Sequence, residues 1–370
     1  MTLHFDDIAA AASELAAGRA VIVVDENERE TECDLVFAAE LATPELMTFM
    51  VRNSSGIVGV AMPGETLDRL AIPPMTAINQ HSHGMAMAVS VDSREVAGNG
   101  AAAVDRVKTV RALANPNAKR TDFVRPGYVF PFRAMSGGVL RRAGGAEAAT
   151  DLMQIAKLQP AAVLCELLND AGSLMTAEQA IAFGAEHGLL VVSIRDLVKY
   201  RMNSERAVER VAEAALPTDF GSFRMIGYRS LIDNAEHIAL VAGDIGDGED
   251  VLVRVHAECL LGDVVGSTRC RCEEHLHTSM RRIAEAGRGA LIYVRAQPQQ
   301  GSGLLARLDA YAHGDDIGSH MAPTDPKNYG NGSQILKDLG VKSMRLLTGT
   351  PSRSVNLEGF GLAITGVEAL

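Results

Sequence analysis

Three of the five cysteines of this chain lie close together in its second half. Cys259, Cys270 and Cys272 are spaced C-x10-C-x-C. Thiolates are soft ligands that suit zinc, and a catalytic zinc site keeps one position open beside three protein ligands. No fourth ligand is obvious in the neighbouring sequence. We therefore predict that these cysteines bind Zn²⁺, and the spacing leaves open whether the ion is catalytic or structural.

Two other interpretations of these cysteines are a disulfide framework and a set of ordinary buried thiols. An odd number of cysteines in a 370-residue chain argues against disulfides. Buried thiols are common, because cysteine often packs as a small hydrophobic side chain. The flanking segment is unusually polar for a core strand, however, which favours a metal site. Its charged and titratable members are Arg254, His256, Glu258, Asp263, Arg269 and Arg271.

A second group of reactive side chains follows a predicted strand near the N-terminus. The run AVIVVDE (residues 20–26) is rich in β-branched residues, as in a strand covered on both faces. The charged residues that follow it include Arg29, Glu30, Glu32 and Asp34. Open α/β sheets place ligand sites at strand ends, and grouped carboxylates suit Mg²⁺ or acid–base work on a sugar phosphate. From this segment alone, a solvated turn over residues 26–34 is the simpler expectation.

Composition bounds the class of protein. A length of 370 residues predicts two or three domains, and 47% hydrophobic with 22% charged residues is typical of soluble globular proteins. No apolar run reaches the ~18 residues that cross a bilayer. The opening MTLHFDD lacks the basic start of a secretion signal, so we expect a cytoplasmic protein without a membrane partner. The net charge of −11 argues against nucleic acid as a partner.

Alternating helical and strand patterns predict an α/β (or α+β) fold. We expect helices after Asp7 and Thr43, and a polar break at residues 200–208 between two domains, 1–203 and 208–370. The other predicted helices cover residues 177–186, 274–286 and 333–339. The other predicted strands cover residues 56–62, 85–91, 161–164, 188–194, 237–245, 250–258, 290–296 and 343–347. A long loop is predicted over residues 314–332, which are rich in Gly and Pro.

The two halves of the chain resemble two enzymes of riboflavin biosynthesis. The first half contains GRAVIVVDENERETECDLVFAAE, RPGYVFPFRA and GGVLRRAGGAEAATDL, and is similar to 3,4-dihydroxy-2-butanone-4-phosphate synthase. The second half contains RVHAECLLGD, STRCRC and GVKSMRLLT, and is similar to GTP cyclohydrolase II. Their order resembles that of the fused bifunctional enzyme. The resemblance implies two α/β domains, zinc at the three cysteines, a nucleotide or related heterocycle as substrate, and a homodimer.

Within the synthase family, the acidic residue after the Arg of RENEGD binds Mg²⁺ together with the His of GHTEA. This chain keeps Glu30 but has Gly145 at the position of that His, and Tyr128 replaces the pocket His of RPGHVFPL. A lost ligand lowers metal affinity, so magnesium at Glu30 is doubtful and we expect the synthase activity to be lost. The residues of this vestigial synthase site are Arg29, Glu30, Glu32, Asp34, Tyr128, Gly145 and Glu166.

In the cyclohydrolase family, zinc activates the water that attacks the guanine ring. By resemblance, the candidate catalytic residues are Glu258, Asp325 and Lys327, with Lys327 where the family has an arginine. The candidate substrate-binding residues are Arg254, His256, Thr348 and Arg353. The family's HEGRGIG loop reads QPQQGSG here, so Pro298 and Gln300 replace its Glu and Arg. The domain also looks C-terminally truncated, because the family's tail is absent.

Three functions remain open from the sequence. The favoured one is a divergent zinc-dependent hydrolase of the cyclohydrolase type, acting on GTP or a related purine or heterocycle, beside an inactive synthase domain. The second is a catalytically inactive, zinc-stabilised paralogue with a regulatory or partner-binding role. The third is a genuine bifunctional riboflavin enzyme.

Overall fold

A computed structural model of the chain describes residues 3–26, 31–76, 86–96, 100–295, 304, 308, 311–312, 326–349 and 362–370, except for the side chains of residues 26 and 326–329. The chain folds as two compact units, Met1–Tyr200 and Arg201–Leu370. Among the described residues, each unit contains one seven-stranded sheet with helices packed against it. The predicted α/β (or α+β) class is confirmed, and the predicted domain limits, 1–203 and 208–370, stay predictions.

The sheet of the first unit is mixed. Its strands are β1 (Val21–Glu26), β2 (Thr31–Ala38), β3 (Gly59–Pro63), β4 (Val91–Ser93), β5 (Phe123–Ala134), β6 (Ala162–Glu166) and β7 (Val191–Ser193). They lie in the order β4-β5-β3-β6-β2-β1-β7. β2 pairs antiparallel with both β1 and β6, and Asp34 of β2 lies directly opposite Glu166 of β6. Directly opposed residues share one face of a sheet, so these two carboxyl groups are neighbours.

The helices of this unit begin where local capping chemistry predicts. They are α1 (Ile8–Ala16), α2 (Pro44–Asn53), α3 (Gly64–Arg69), α4 (Ala103–Ala114), α5 (Gly145–Ile155), α6 (Ala177–His187) and α7 (Ile194–Ser204). The Asp7 carboxylate accepts the N–H of Ala10 at 2.9 Å, and the Thr43 hydroxyl accepts that of Leu46 at 3.2 Å. Both N-caps satisfy backbone donors that a helix start leaves unpaired. The predicted starts after Asp7 and Thr43 are confirmed.

Three predictions about the first unit were wrong in part. The solvated turn over residues 26–34 is instead the start of β2 from Thr31 onward, and Asp34 is only 8% exposed. The polar break at residues 200–208 begins inside α7, which continues to Ser204. The strand over residues 85–91 is reduced to bridges at Met87 and Ala88 before β4. In the first case the pairing of β2 with β1 and β6 outweighed the local polarity of the segment.

The sheet of the second unit combines an antiparallel meander with a parallel part. Its strands are β8 (Val208–Thr218), β9 (Gly221–Ser230), β10 (Glu236–Ala242), β11 (Val251–Ala257), β12 (Gly289–Val294), β13 (Ser343–Thr348) and β14 (Ala363–Ala369). They lie in the order β14-β13-β11-β12-β10-β9-β8. β11 is parallel to both β12 and β13, so the carboxyl ends of these three strands share one edge. β10 runs antiparallel to β12, which brings its first residues to the same edge.

Two helices of the second unit flank this edge, α8 (Cys272–Ala286) and α9 (Pro326–Asp338). The predicted loop over residues 314–332 is therefore wrong from residue 326 onward, and the part before it lies outside the described residues. None of the described helices is both long and apolar enough to span a bilayer.

Candidate active site

The three cysteines predicted to bind metal lie at the carboxyl edge of the parallel strands. Cys259 follows β11 and Cys272 is the first residue of α8, with Cys270 just before it. Their sulfur atoms all lie within 4.8 Å of one another, and the Sγ atoms of Cys259 and Cys270 are 3.9 Å apart. Within the described ranges, this is the one group of three or more His, Cys, Asp or Glu side chains whose ligand atoms converge in this way.

The geometry of the three sulfurs fits zinc. With Zn–S bonds of about 2.3 Å, tetrahedral ligands lie about 3.8 Å apart, close to the separation of Cys259 and Cys270. Gly262 makes the approach possible, because a Cβ at this residue would lie 2.6 Å from Cys270 Sγ and 2.8 Å from Cys272 Cβ. Gly262 lies in the turn Leu260–Val264, and a side chain at this position would occupy the space between the cysteines.

The electrostatics of the cluster also favour a bound cation. Burial raises the pKa of the Cys272 thiol, and the neighbouring Cys259 and Cys270 raise it further. Three thiolates so close together would repel one another in a partly buried site. A divalent cation removes this repulsion, since metal ligation stabilises the thiolate form.

The buried carboxylate of Asp263 organises the residues around the cluster. It accepts hydrogen bonds from the backbone N–H of Cys259 at 2.8 Å, from the Tyr293 hydroxyl at 2.8 Å and from His256 Nε2 at 3.0 Å. Burial alone would raise the pKa of Asp263, but these hydrogen bonds lower it below its ordinary value. Asp263 therefore stays ionised and ties β11, β12 and the cysteine turn together.

The same contact fixes the orientation and tautomer of His256. A carboxylate only accepts hydrogen bonds, so the ring nitrogen that faces Asp263, Nε2, carries the proton. The ring also stacks on Tyr293, with centroids 5.5 Å apart. Its Nδ1 atom is buried and has no hydrogen-bond partner among the described residues. His256 is thus held in one orientation by Asp263 and Tyr293.

Other predicted site residues lie along the same edge. Arg254 donates to the carbonyl of Leu347 at 3.0 Å, next to the buried Thr348 at the end of β13. The Glu258 carboxylate is partly exposed and lies 3.5 Å from the guanidinium of Arg295. The structure thus brings Arg254, His256, Glu258 and Thr348 to the edge that carries the cysteines.

Sequence reasoning missed His275, which also belongs to this site. Its ring lies against Gly349, where a Cβ would be 2.8 Å from Nδ1, and its Nε2 atom is buried without a partner among the described residues. Burial lowers the pKa of His275, and the charges of Arg254 and Arg271 lower it further, so the imidazole is neutral near pH 7. The signal was present in the sequence, because positions 272 and 275 lie one helical turn apart.

Several predicted residues lie outside the described part of the chain. Asp325, Arg353 and the segment 297–303 are in this group, and so are Arg29 and Glu30 of the first unit. Lys327 is in the first turn of α9, but its side chain is not described. Their predicted roles stay predictions.

The described synthase-like residues of the first unit include one buried carboxyl group, that of Asp34. Burial raises the pKa of Asp34 to about 8, and the nearby Glu166 and Glu32 add to the rise. Gly145 begins α5 beside it, and a Cβ there would overlap the Asp34 carboxylate oxygen Oδ2. Tyr128 is 47% exposed and its backbone N–H donates to Asp92 at 2.9 Å. At position 145 the chain therefore offers no side-chain ligand to a magnesium ion.

Comparison with known proteins assigns both units. Residues 9–200 match the model of the family 3,4-dihydroxy-2-butanone 4-phosphate synthase, and residues 209–369 match that of GTP cyclohydrolase II. The riboflavin biosynthesis protein RibBA of Nocardia farcinica is 49% identical over 98% of this chain and 90% of its own length. The chain belongs to the RibBA family. The RibBA of Salinispora arenicola is 51% identical over 98% of the chain and 88% of its own length.

Solved structures extend this likeness of the RibBA family to three dimensions. RibBX of A. baumannii, a two-domain 3,4-dihydroxy-2-butanone 4-phosphate synthase, superposes with a TM-score of 0.81 at 31% identity, over 99% of this chain and 100% of that one. The synthase of Candida albicans covers 54% of this chain at 42% identity, with a TM-score of 0.50. The family is therefore that of a bifunctional enzyme of riboflavin biosynthesis.

Proposed function

We propose that the second unit is a zinc-dependent hydrolase of the cyclohydrolase type that acts on GTP or a related purine. The observation that carries this proposal is the convergence of three thiols around Gly262. A structural zinc site needs a fourth protein ligand to close it, whereas a catalytic site leaves that position open. Among the described residues, no fourth His, Cys, Asp or Glu joins the cluster. The open position supports a catalytic zinc.

The residues around the cluster have separate tasks in this proposal. Zinc bound by the cysteines would supply Lewis-acid activation of water. Glu258 is a partly exposed carboxylate that can take up or release a proton, and Arg254 supplies fixed positive charge. The buried Nδ1 of His256 and Nε2 of His275 offer hydrogen bonds to a heterocycle. By resemblance we assign general-base work to Asp325, a cationic role at phosphate to Lys327, and substrate binding to Arg353 and Thr348.

For the first unit we propose that synthase activity is lost. Magnesium binding in this family needs a His where this chain has Gly145, and the buried Asp34 carboxyl lies against that position. Tyr128 replaces a second His, and a phenol does not exchange protons readily near neutral pH. Glu166 is kept, so the pocket retains acidic residues without the full ligand set.

A genuine bifunctional enzyme is the second candidate. It is favoured by the full-length identity of about half to proteins named RibBA. A catalytically inactive paralogue is the third, and it is favoured by changed residues in both units, which include Tyr128, Gly145, Pro298 and Gln300.

The deciding experiment measures the zinc content, the cyclohydrolase activity and the synthase activity of one purified sample. We expect about one zinc per chain by elemental analysis, release of formate and pyrophosphate from GTP, and no formation of 3,4-dihydroxy-2-butanone 4-phosphate. Formation of both products would establish the bifunctional enzyme. Zinc without turnover of GTP or other purine nucleotides would support the inactive paralogue, and a lack of zinc would refute the proposal.

A further inference from the structure

A buried polar pair joins the sheet of the second unit to helix α9. His237, the second residue of β10, is 1% exposed, and Asn331 in the middle of α9 is 7% exposed. The Nε2 atom of His237 lies 3.2 Å from the side-chain amide of Asn331. A buried polar pair costs free energy unless its hydrogen bonds are made, so this pair calls for a physical reason.

The hydrogen bonds of His237 define its tautomer. Its Nδ1 atom accepts the backbone N–H of Arg295 at 3.2 Å. Burial lowers the pKa of His237, so the ring is neutral near pH 7, and a neutral ring that accepts at Nδ1 must carry its proton on Nε2. The Nε2–H group therefore needs an acceptor on Asn331, which the side-chain amide supplies when it is turned so that its oxygen, rather than the nitrogen placed 3.2 Å away, faces the ring. The other amide position of Asn331 has no partner among the described residues.

The two partners of His237 belong to segments that carry predicted site residues. Arg295 directly follows β12, and its side chain pairs with Glu258. Asn331 lies one helical turn after Lys327 on α9. The imidazole thus links the end of β12 to the first half of α9 through one hydrogen bond on each side.

The second half of α9 is held by different contacts. The Gln334 amide accepts the N–H of Ala207 at 2.6 Å and donates to the carbonyls of Met202 and Glu205 at 2.7 Å. The Tyr228 hydroxyl donates to Asp338 at 2.7 Å, at the last residue of the helix. These contacts would keep α9 docked if His237 were lost, while its first half could shift.

We propose that His237 is a positioning residue that fixes the first half of α9, and with it Lys327, relative to the end of β12. This inference rests on the proposed hydrolase function, because it assigns Lys327 a role at the substrate. The imidazole suits the task because it is rigid, neutral, and both accepts and donates. Its effect on turnover would run through Lys327 and Arg295.

The test compares three variants of the full-length, zinc-loaded chain. His237→Phe keeps a ring but removes both hydrogen bonds, His237→Gln can restore an acceptor and a donor, and Tyr228→Phe removes a contact at the far end of α9. We expect His237→Phe to lower kcat for GTP by roughly 100-fold, the cost of a misplaced catalytic group, with KM and zinc content little changed. His237→Gln should recover most of the loss, and Tyr228→Phe should resemble the unmodified chain.

Amide hydrogen exchange of α9 separates failure of this inference from failure of the proposed function. His237→Phe should speed exchange in the first half of α9, and His237→Gln should not, even if the chain turns over no GTP at all. Unchanged exchange in His237→Phe would overturn the inference. So would an unchanged kcat in that variant, or an equal loss of kcat in Tyr228→Phe.

Discussion

The candidate metal sites of the two units differ in how their buried carboxyl groups are surrounded. In the second unit, three ligand atoms converge, a glycine leaves room for them, and a buried, ionised Asp263 holds the surrounding groups. In the first unit, the buried carboxyl of Asp34 has its pKa raised to about 8 and lies against Gly145, which has no side chain. Three donors support Asp263, whereas the side chain of Asp34 faces other carboxyl groups.

This difference shows how a site can be judged without its ligand. Burial is costly for any carboxylate, and what matters is whether neighbouring groups stabilise the charged form. Asp263 has that support, so its surroundings fit a working site with an ionised carboxylate. Asp34 lacks that support among the described residues, so its carboxyl group holds a proton more tightly than an ordinary aspartic acid does.

The largest expected effect comes from removing a ligand of the second site. Cys272→Ser should abolish zinc binding and lower formate release from GTP by more than about 100-fold, because two thiolates hold zinc poorly. Zinc content and product formation are measured on the same sample. Cys165→Ala, a change at a buried thiol of the first unit, is the matched control and should keep its zinc. Full zinc content in Cys272→Ser would show that Cys272 is not needed to bind zinc, and the contrast between the two units would fail.

The next largest effect is expected at Asp263, which holds the residues around the cysteines in place. Asp263→Asn keeps the shape of the side chain but removes the charge that orients His256, Tyr293 and the Cys259 backbone. We expect zinc affinity or activity to fall by roughly 10- to 100-fold. Competition with a chromogenic chelator measures the affinity. An affinity equal to that of the unmodified chain would mean that Asp263 is not needed to organise the site.

For the first unit, Asp34→Asn should stabilise the fold, by up to about 5 kcal/mol at pH 8. The folded pKa of Asp34 is raised from its ordinary value near 3.8 to about 8, so the folded state binds the proton more tightly than the unfolded state. This group therefore lowers stability progressively as pH rises from about 4 to about 8, and the Asn variant lacks that loss. Urea unfolding at pH 5 and pH 8 tests it. If the free energy of unfolding changed equally between pH 5 and pH 8 in both chains, the Asp34 carboxylate would be stabilised by a group we have not identified.

The smallest effect is expected at His275. His275→Ala removes one hydrogen-bonding nitrogen from the substrate side of the site, and should raise KM for GTP by roughly 3- to 10-fold without loss of zinc. Steady-state kinetics with GTP measures this change. His277→Ala, on the same helix but pointing to Phe220, is the control. A change in zinc content instead of KM would reassign His275 to the metal.

Some features of this fold follow from local chemistry and could be predicted. The caps at Asp7 and Thr43 act within one helical turn, and the cysteine spacing left few other uses for three thiols in a polar segment. The burial of Asp34 could not be predicted, because it depends on pairing with β6, far along the chain. The helix over residues 326–332 could not be predicted either, because it also depends on packing against distant parts of the chain. Gly330 and Gly332 suggest a loop, yet they allow α9 to pack closely on Met202 and Val255.

The raised pKa of Asp34 gives the first unit a spectroscopic signal for cation binding. At neutral pH the raised pKa keeps Asp34 a neutral carboxylic acid, and the infrared absorption of its C=O group is separate from that of an ionised carboxylate. A divalent cation that binds the Asp34 carboxylate would displace the proton and remove that band. Difference spectra of the unmodified chain against Asp34→Asn, with and without magnesium, would thus report occupancy of the pocket directly, even where no turnover can be measured.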